Sequence, residues 1–347
     1  MSNENLALGL FLLLPFVCGG ALWLLYRASR RRSIAAGWPR LVLGNGLLLA
    51  LLLSGGLLGG EVYFRFCYDT TDALAYTKVS RRWLERHWHT NPAGVRDDLN
   101  YSLRRTSGRR RVTFLGDSFT AGHGVKRVGD RFVNLVRQRH PEWEVHCLAE
   151  LGMDTGDEIR YLGECTAKGY ELEDVVLVYC LNDVADLMPE WAAIRARIFA
   201  GRDEPGWFKD NSYFLNLVYY RYRAMRNPEM RNYFQFVRET DRGPVWEQQQ
   251  ARLRELKQLI EARGGRLLVV TFPFLHQLGP GYEFQSVHGS LNEFWRAERV
   301  PHLDLLETFR PNPSASLTVN SFDAHPNEYA HQLAAAEIER FLANPSP

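Results

Sequence analysis

The chain has 347 residues, which leaves room for one large domain and an accessory segment. Its 42 basic and 40 acidic residues give a formal net charge of +2, so the chain lacks the strongly basic balance of proteins that bind nucleic acid, and no nucleic-acid partner is expected. The five cysteines are scattered without a CxxC pair, which disfavours a zinc site and a complete disulfide framework and predicts buried free thiols.

Two apolar segments stand near the N-terminus, at residues 6–26 and 41–60. Each approaches the length of a helix that crosses a bilayer, roughly 20 residues. The first segment follows only Glu4 rather than positive charges and is longer than the core of a signal peptide. We therefore predict a membrane anchor over residues 1–64 with two transmembrane helices. Two buried helices of a soluble domain are the alternative.

The segment between the two apolar runs is rich in arginine and has no acidic residue. Its arginines are Arg27, Arg30, Arg31, Arg32 and Arg40. Short loops with this charge bias face the cytoplasm, so both ends of the anchor are expected to face outward. The chain is thus predicted to be a multi-pass membrane protein whose main domain lies outside the cytoplasm. Residues beyond the second run are also basic, but only Arg65 and Lys78 lie close to it.

Residues 65–110 are aromatic and charged without the alternation of a strand, and they are predicted to form a juxtamembrane connector. His87 and His89 lie in this segment. Two histidines without further ligands at suitable spacing do not indicate a metal site, and a solvated helix is the favoured interpretation.

From residue 111 to 347 short apolar runs alternate with amphipathic stretches, which predicts parallel strands joined by helices in an α/β domain. The predicted strands are 111–116, 144–149, 175–181, 266–272 and 302–306, and the predicted helices include 131–140, 157–168 and 245–263. Residues 185–243 interrupt this pattern with many aromatic residues, Tyr233 among them. A cap that shapes a substrate site and a small helical subdomain with its own core explain this insertion equally well.

The run FLGDSFTAGHGV has a strand that ends at Leu115, followed by a tight turn through Gly116, Asp117 and Ser118 before a predicted helix. Such a turn presents a hydroxyl at the carboxyl edge of a sheet, where α/β folds bind ligands. It also places backbone N–H groups beside that hydroxyl. A surface turn without function is the alternative for this short string.

A serine nucleophile needs a base, and Asp323 and His325 stand two residues apart ahead of an amphipathic helix. An imidazole can accept the hydroxyl proton, and a carboxylate on its other nitrogen holds the tautomer. A helix cap formed by Asp323 or Asn327, with an incidental histidine, is the alternative.

Together these segments resemble the SGNH (GDSL-type) hydrolases over roughly residues 91–341. The resemblance rests on four ordered blocks: GDS at Ser118, ELGMDT with Gly152, CLNDV with Asn182, and DAHPN with Asp323 and His325. Two positions depart from the family pattern, because Cys180 replaces a glycine and Cys147 an asparagine. Gly156 is an alternative to Gly152 in the second block.

The resemblance implies a three-layer, flavodoxin-like α/β domain with a mostly parallel sheet, preceded in this chain by the two transmembrane helices. It implies a Ser118–His325–Asp323 triad, and an oxyanion hole formed by the backbone N–H groups of Ser118 and Gly152 and the side-chain amide of Asn182. No P-loop, dinucleotide fingerprint or metal motif is present, so no cofactor or metal is expected.

The expected activity is that of a serine esterase. Its ester substrate is expected to be an O-acetylated envelope carbohydrate, with lipid esters as the second candidate. An O-acyltransferase with the same triad and a non-catalytic surface binding module are the alternatives, and the oligomeric state is left open. Three other residues near the four blocks are expected to have lesser roles. These are His123 as a solvated or capping residue, His331 as a support for Asp323 or the loop, and Asp183 as a residue that orders its loop.

Overall fold

The computed structural model describes residues 2–31, 37–231 and 234–345. Arg32, in the predicted cytoplasmic loop, and Tyr233, in the aromatic insertion, lie outside the described residues.

In chain order, the helices are α1 (Asn3–Arg31), α2 (Trp38–Val62), α3 (Lys78–His87), α4 (Ser118–Ala121), α5 (Phe132–Arg139), α6 (Thr155–Ala167), α7 (Pro189–Asp203), α8 (Trp207–Asn211), α9 (Tyr213–Arg226), α10 (Pro228–Arg231), α11 (Gly243–Ala262), α12 (Gln285–Ala297), α13 (Leu306–Phe309), α14 (Ser314–Leu317) and α15 (Glu328–Ala343). A π-helical turn, Tyr63–Cys67, continues α2, and 3₁₀ turns occur at Val128–Asp130, Ala185–Leu187, Gln235–Glu239 and Leu275–Gln277.

The strands form a parallel sheet and a small antiparallel pair. They are β1 (Arg111–Gly116), β2 (Glu144–Ala149), β3 (Asp174–Cys180), β4 (Arg266–Phe272), β5 (His302–Asp304), β6 (Thr318–Asn320) and β7 (Asp323–Pro326). The predicted strands β1, β2 and β4 are confirmed to the residue. β3 lies one residue earlier than predicted, and β5 is shorter because the chain turns into α13 after Leu305.

The five parallel strands lie in the order β2-β1-β3-β4-β5, which is the order of flavodoxin-like sheets. Right-handed crossovers in this order place the helices that follow β1 on one face and the later crossover helices on the other. Accordingly α5 packs with α15, and α6 packs with α11. The predicted three-layer α/β fold is confirmed.

The central strands are mostly apolar because helices cover both faces of the sheet, and the charged residues Arg111 and Asp174 stand at their first positions. All seven residues of β3 are buried, and so are all six of β1. Because β1 pairs in parallel with both β2 and β3, the carboxyl ends of these three strands are neighbours at one edge of the sheet. The loops that follow them meet there.

Helices α1 and α2 pack against each other, and most of their apolar side chains are exposed. Both are long and apolar enough to cross a bilayer by length and composition.

The segment that follows α2 packs into the α/β domain. In α3 the side chain of Trp83 is fully buried, so the predicted solvated helix is wrong for that face, and His87 bonds Asp69 at 2.8 Å. Arg96 donates to the carbonyl oxygens of Gly122 and Val125. Residues 65–110 thus supply part of the packing around the turn that follows β1.

Helices α7 to α10 of the aromatic insertion have a hydrophobic cluster separate from the main core. Its buried members are Tyr76, Ile198, Tyr220, Ala224 and Met230. Several of the same side chains also line the large cavity described below. The insertion therefore has a hydrophobic cluster, shared with Tyr76 of the connector, and forms a wall of that cavity, while its role in shaping a substrate site stays a prediction.

The buried carboxylate of Asp97 joins the connector to the domain. It accepts hydrogen bonds from Arg131 at 2.7 Å and from Arg137 at 2.9 and 2.7 Å. Burial by itself raises the pKa of Asp97. The guanidinium groups of Arg137 and Arg131 lower this pKa by more than burial raises it, so the net shift is downward. The ion pairs therefore stabilise the fold above the unfolded-state pKa of about 4, and this contribution is lost as the pH falls.

We expect Asp97→Asn to lower the free energy of unfolding by about 3–5 kcal/mol, because it leaves buried guanidinium groups without their counter-charge. The matched control is Asp130→Asn, which removes the exposed ion pair with Arg127 and is expected to cost less than about 1 kcal/mol. Thermal unfolding in the same detergent measures both. Equal, small losses would contradict the assignment of the connector to the folded domain.

Candidate active site

Ser118 lies at the carboxyl edge of the sheet because β1 ends at Gly116 and the chain turns at once into α4. Asp117 caps this helix, and its Oδ1 accepts the N–H of Phe119 at 2.9 Å. Ser118 is the first residue of α4, so its backbone N–H has no partner within the helix. The predicted turn is thus present and buried.

His325 and Asp323 lie on β7, which brings them to the same edge. His325 Nε2 lies 2.8 Å from Ser118 Oγ, and His325 Nδ1 lies 2.5 Å from Asp323 Oδ1. A carboxylate only accepts, so Nδ1 carries the proton and Nε2 is left to accept from the serine hydroxyl. Serine, imidazole and carboxylate form a continuous hydrogen-bonded chain.

The second oxygen of the Asp323 carboxylate has two partners that sequence analysis missed. Thr71 Oγ1 donates to Asp323 Oδ2, and His123 Nε2 lies 3.4 Å from the same oxygen. Both side chains are buried, so the prediction that His123 is solvated is wrong. No local pattern marks Thr71, which is 252 positions from Asp323. His123 in the AGHG run was the one available signal.

The charges around Asp323 shift its pKa and that of His123. Burial raises the pKa of Asp323, but His325 and His123 lower it more, and the net pKa is well below the usual value. Burial lowers the pKa of His123, but the Asp323 carboxylate raises it more, and the net shift is upward. Asp323 therefore stays ionised, as a carboxylate that orients an imidazole requires.

Gly124 allows the β6–β7 pair to approach the serine turn. Its φ is +87°, and a Cβ there would lie 2.3 Å from Cγ2 of Val319 on β6. Only glycine combines this backbone conformation with such a close approach. The contact helps to hold β7, and with it His325, beside Ser118.

Asn182 and Gly152 lie in the loops that follow β3 and β2, on either side of Ser118. Asn182 Nδ2 lies 3.4 Å from Asp117 Oδ2, and both Asn182 and Gly152 line the same cavity as Ser118. Gly152 has a φ of +76° and open space where a Cβ would stand. Gly156, the alternative, is the second residue of α6 and does not line that cavity.

The Asn182 loop is held by the buried residue Asp183. Asp183 Oδ2 accepts the N–H of Cys180 at 2.9 Å, and the Asp183 carbonyl accepts the N–H of Thr155 at 3.1 Å. Burial, and then the negative charges of neighbouring acids, raise the pKa of both Asp183 and the fully buried Glu158. As predicted, Asp183 orders its loop.

The histidine of the last helix does not support Asp323. His331 Nδ1 accepts the N–H of Phe132 at 3.2 Å, and its ring stacks on Phe132. It joins α15 to α5, so the predicted contact with the triad carboxylate is wrong. All five cysteines are free thiols, as predicted, but only Cys147 and Cys180 are buried; Cys18 and Cys165 are half-buried and Cys67 is exposed, so the prediction of burial is wrong for these three. Burial raises the pKa of both Cys147 and Cys180.

A cavity of about 990 Å³ opens beside Ser118 and His325. Apolar side chains of the insertion form part of its lining: Trp191, Phe199, Tyr220, Met225, Met230 and Phe234. Strand β6 and the residues on either side of it add hydrogen-bonding groups: Ser314, Thr318, Asn320 and Ser321. The cavity thus offers both an apolar and a polar lining to a molecule that reaches the serine.

His123, Asp323 and His325 also lie close enough together to hold a metal ion, since their candidate ligand atoms fall within 4.8 Å of one another. However, the carboxylate already accepts hydrogen bonds from Thr71 and His325, and His325 also contacts Ser118. This pattern fits proton transfer to and from the serine better than metal binding.

No family model matches the chain, and a search of curated proteins gave no match. Solved structures that resemble it include TesA, with 14% identity over 67% of this chain and 98% of that chain and a TM-score of 0.43. A member of the lipolytic protein G-D-S-L family from Veillonella parvula has 12% identity over 68% and 99% of the two chains, with a TM-score of 0.43. A lipase/acylhydrolase from Enterococcus faecalis has 17% identity over 69% and 99%, with a TM-score of 0.41. Likenesses this distant assign neither a family nor an activity.

The contact between Thr71 and Asp323 predicts a measurable effect on the reactivity of Ser118. We expect Thr71→Val to slow the labelling of Ser118 by a fluorophosphonate about 10- to 100-fold, because a hydrogen bond to a charged group contributes about 1.5–3 kcal/mol. Thr71→Ser keeps the hydroxyl and is expected to label at close to the wild-type rate. Intact-mass spectrometry follows the reaction, and His325→Ala gives the unactivated background. Equal rates for the valine and serine variants would contradict a role for the Thr71 hydroxyl.

Proposed function

We propose that this chain is an ester hydrolase in which Ser118 is the nucleophile, His325 the general base and Asp323 the carboxylate that orients it. The observation that carries the proposal is the hydrogen-bonded chain itself, with 2.8 Å from Ser118 Oγ to His325 Nε2 and 2.5 Å from His325 Nδ1 to Asp323 Oδ1. A serine hydroxyl is a poor nucleophile at neutral pH unless a base within hydrogen-bond reach accepts its proton.

In the proposed reaction, Ser118 Oγ attacks the ester carbonyl while its proton moves to His325 Nε2. The resulting imidazolium is stabilised by the ionised Asp323 and then protonates the departing alkoxide. Water, deprotonated by His325, attacks the acyl-serine, and the acid leaves with regeneration of the Ser118 hydroxyl. Each step forms one bond and breaks one at the acyl carbon, and the proton returns to the serine.

The charge that develops on the carbonyl oxygen needs hydrogen-bond donors. The backbone N–H of Ser118 at the start of α4, the loop at Gly152 and the side-chain amide of Asn182 belong to residues that line the same cavity and are the proposed oxyanion hole. In the free protein, the Asn182 amide lies 3.4 Å from Asp117 Oδ2, a weak contact that an oxyanion would replace.

The lining of the cavity supports an ester with both an apolar and a hydrogen-bonding portion. The insertion contributes aromatic and methionine side chains, which suit an acyl chain or the faces of sugar rings. The hydroxyl and amide groups near β6 suit a hydroxylated alcohol portion. This combination admits both substrate classes expected from the sequence, an acylated carbohydrate and a lipid ester.

We expect Asn182→Ala to lower kcat for a short-chain aryl ester about 10²- to 10³-fold with little change in KM, because the amide is proposed to contact charge that exists only after attack. Ser118→Ala defines the activity of a preparation without the nucleophile. Turnover by Ser118→Ala at the wild-type rate would refute the proposed function.

The melting temperature is measured in the same Asn182→Ala preparation. If the amide only ordered its loop, the variant would melt at a lower temperature while the folded fraction kept a near-normal kcat. That combination would remove Asn182 from the oxyanion hole without touching the assignment of Ser118.

The proposal includes insertion of α1 and α2 into a membrane, with the α/β domain outside the cytoplasm. Its support is the length and apolar composition of both helices and the arginine-rich segment that joins them. Cys67 ends the π-helical turn after α2 and is exposed, so it lies on the side of the membrane that bears the domain.

We expect an impermeant maleimide to label Cys67 on intact cells that express the full chain. Cys67→Ser controls for the other cysteines and should remove the labelling. In the Cys67→Ser background, Ala28→Cys places a thiol near the C-terminal end of α1, on the side proposed to be cytoplasmic. This thiol should be labelled only after the cells are permeabilised. The reverse pattern would place the α/β domain in the cytoplasm.

A further inference from the structure

The segment 206–214, which joins α7 to α9, runs along the two apolar helices at the base of the insertion. A charged cluster at the outer end of those helices marks the boundary with water, from which the depth of this contact in the membrane is measured. Arg65 donates to the carbonyl oxygen of Glu4 and to Asn5 Oδ1, both at 2.9 Å, and Lys78 pairs with the Glu4 carboxylate. Charged side chains at the end of an apolar helix stand at the boundary with water.

Phe208 contacts α1 well inside that boundary. Its ring stacks on Phe11 with a centroid distance of 6.3 Å and an interplanar angle of 13°. Phe11 is five residues beyond Leu6, where the apolar run begins, so the contact lies about 7 Å deeper along the helix. Phe11 and Ala7, one turn apart, are the buried residues among those described in α1, and Phe208 of the insertion covers the ring of Phe11.

The second helix places the same segment at a similar depth. Glu61 lies one turn before Arg65, and its buried carboxylate accepts hydrogen bonds from Ser212 Oγ at 2.6 Å and from the N–H groups of Tyr213 and Phe214 at 3.2 and 3.1 Å. The ring of Phe214 lies directly on Gly60, where a Cβ would be 2.9 Å from it. Glycine at position 60 therefore permits this close contact.

Short helix α8 has an apolar side that the protein leaves uncovered. Trp207 is 39% exposed and Phe208 is 52% exposed, and their rings meet edge to face. The two charged residues of α8 have partners nearby: Lys209, whose side chain is 13% exposed, donates from Nζ to the carbonyl oxygen of Arg202, and Asp210, whose side chain is 48% exposed, accepts the N–H of Gly206. Exposed aromatic side chains beside charged groups that stay in contact with water are typical of segments that lie in the interface of a membrane.

We propose that α8 inserts into the outer leaflet beside α1, with Trp207 and Phe208 at the boundary between lipid headgroups and acyl chains. The occupant of this surface is bilayer lipid, because the patch is continuous with the lipid-facing side of α1 and lies inside the charged boundary at Glu4 and Arg65. This inference rests on the proposed membrane insertion and does not depend on the esterase activity.

The contact also fixes the insertion relative to the bilayer. Helix α9 begins beside Glu61, and its far end contributes Tyr220, Ala224 and Met225 to the cavity beside Ser118. Phe214 and Ala224 are ten positions apart, which corresponds to about 15 Å of helix. One wall of the cavity is therefore joined to the membrane surface by a single rigid element, within reach of an amphiphilic ester held in the outer leaflet.

Spin-label accessibility in lipid nanodiscs tests the position of α8. The full chain carries Cys18→Ser and Cys67→Ser, and a nitroxide is attached at Trp207→Cys. Leu13→Cys, exposed on α1, reports the lipid interior, and Leu103→Cys, exposed on a loop of the α/β domain, reports water. Collision rates with oxygen, which partitions into lipid, are compared with those of a water-soluble nickel chelate.

We expect the oxygen-to-nickel ratio at position 207 to exceed that at position 103 several-fold and to lie below or near that at position 13. A ratio at 207 equal to that at 103, with a lipid-like ratio at 13, would overturn the inference while leaving membrane insertion intact. An aqueous ratio at 13 would overturn both. Since Trp207→Cys removes a ring, quenching by brominated lipids provides a second measurement: wild-type fluorescence should be quenched more than that of Trp207→Phe, and equal quenching would count against the inference.

Discussion

Asp323 is a carboxylate buried to about 1% exposure, and an isolated charge in such a place would be strongly unfavourable. Its two oxygens are satisfied by three separate parts of the chain: His325 on its own strand, His123 after the serine turn, and Thr71 in the connector. Satisfying this one charge therefore requires those parts to meet at a single point. The arrangement of the whole candidate site depends on that requirement.

The connector is held against the α/β domain by its contacts near Asp323. Thr71 lies only four residues after the π-helical turn that ends the apolar hairpin. Nearby, the N–H of Ala73 donates to the carbonyl oxygen of Phe322, and the side-chain amide of Asn320 donates to the carbonyl oxygen of Thr71. Together with the buried ion pairs of Asp97, they make the segment between the apolar hairpin and the sheet an integral part of the α/β domain. A change in the position of that hairpin would therefore act directly on the proposed triad carboxylate.

The aromatic insertion contacts the rest of the protein at two places, the apolar helices at its base and the cavity wall at the other end of α9. At its base, Glu61 receives the start of α9 and Phe208 packs on α1, next to the proposed membrane interface. At the other end of α9, Tyr220 and Ala224 belong both to the small hydrophobic cluster and to the cavity wall. A packed cluster resists continuous deformation. The position of the cavity wall beside Ser118 therefore depends on the position of helices α1 and α2.

The sequence by itself determined which segments form the strands of the parallel sheet, because alternation of apolar runs with amphipathic stretches depends on residues near one another in the chain. It also singled out Ser118, His325 and Asp323 as candidate site residues, since a serine at a strand-to-helix turn and a histidine two residues from an aspartate are local patterns. Tertiary structure alone decided the partners of Asp323, the different role of His331 and the union of connector and domain. Thr71 and Asp323 are 252 positions apart, and a single buried hydroxyl has no periodicity that would reveal it. Such contacts arise because packing must satisfy a buried charge, and the groups that satisfy it are known only when the chain has folded.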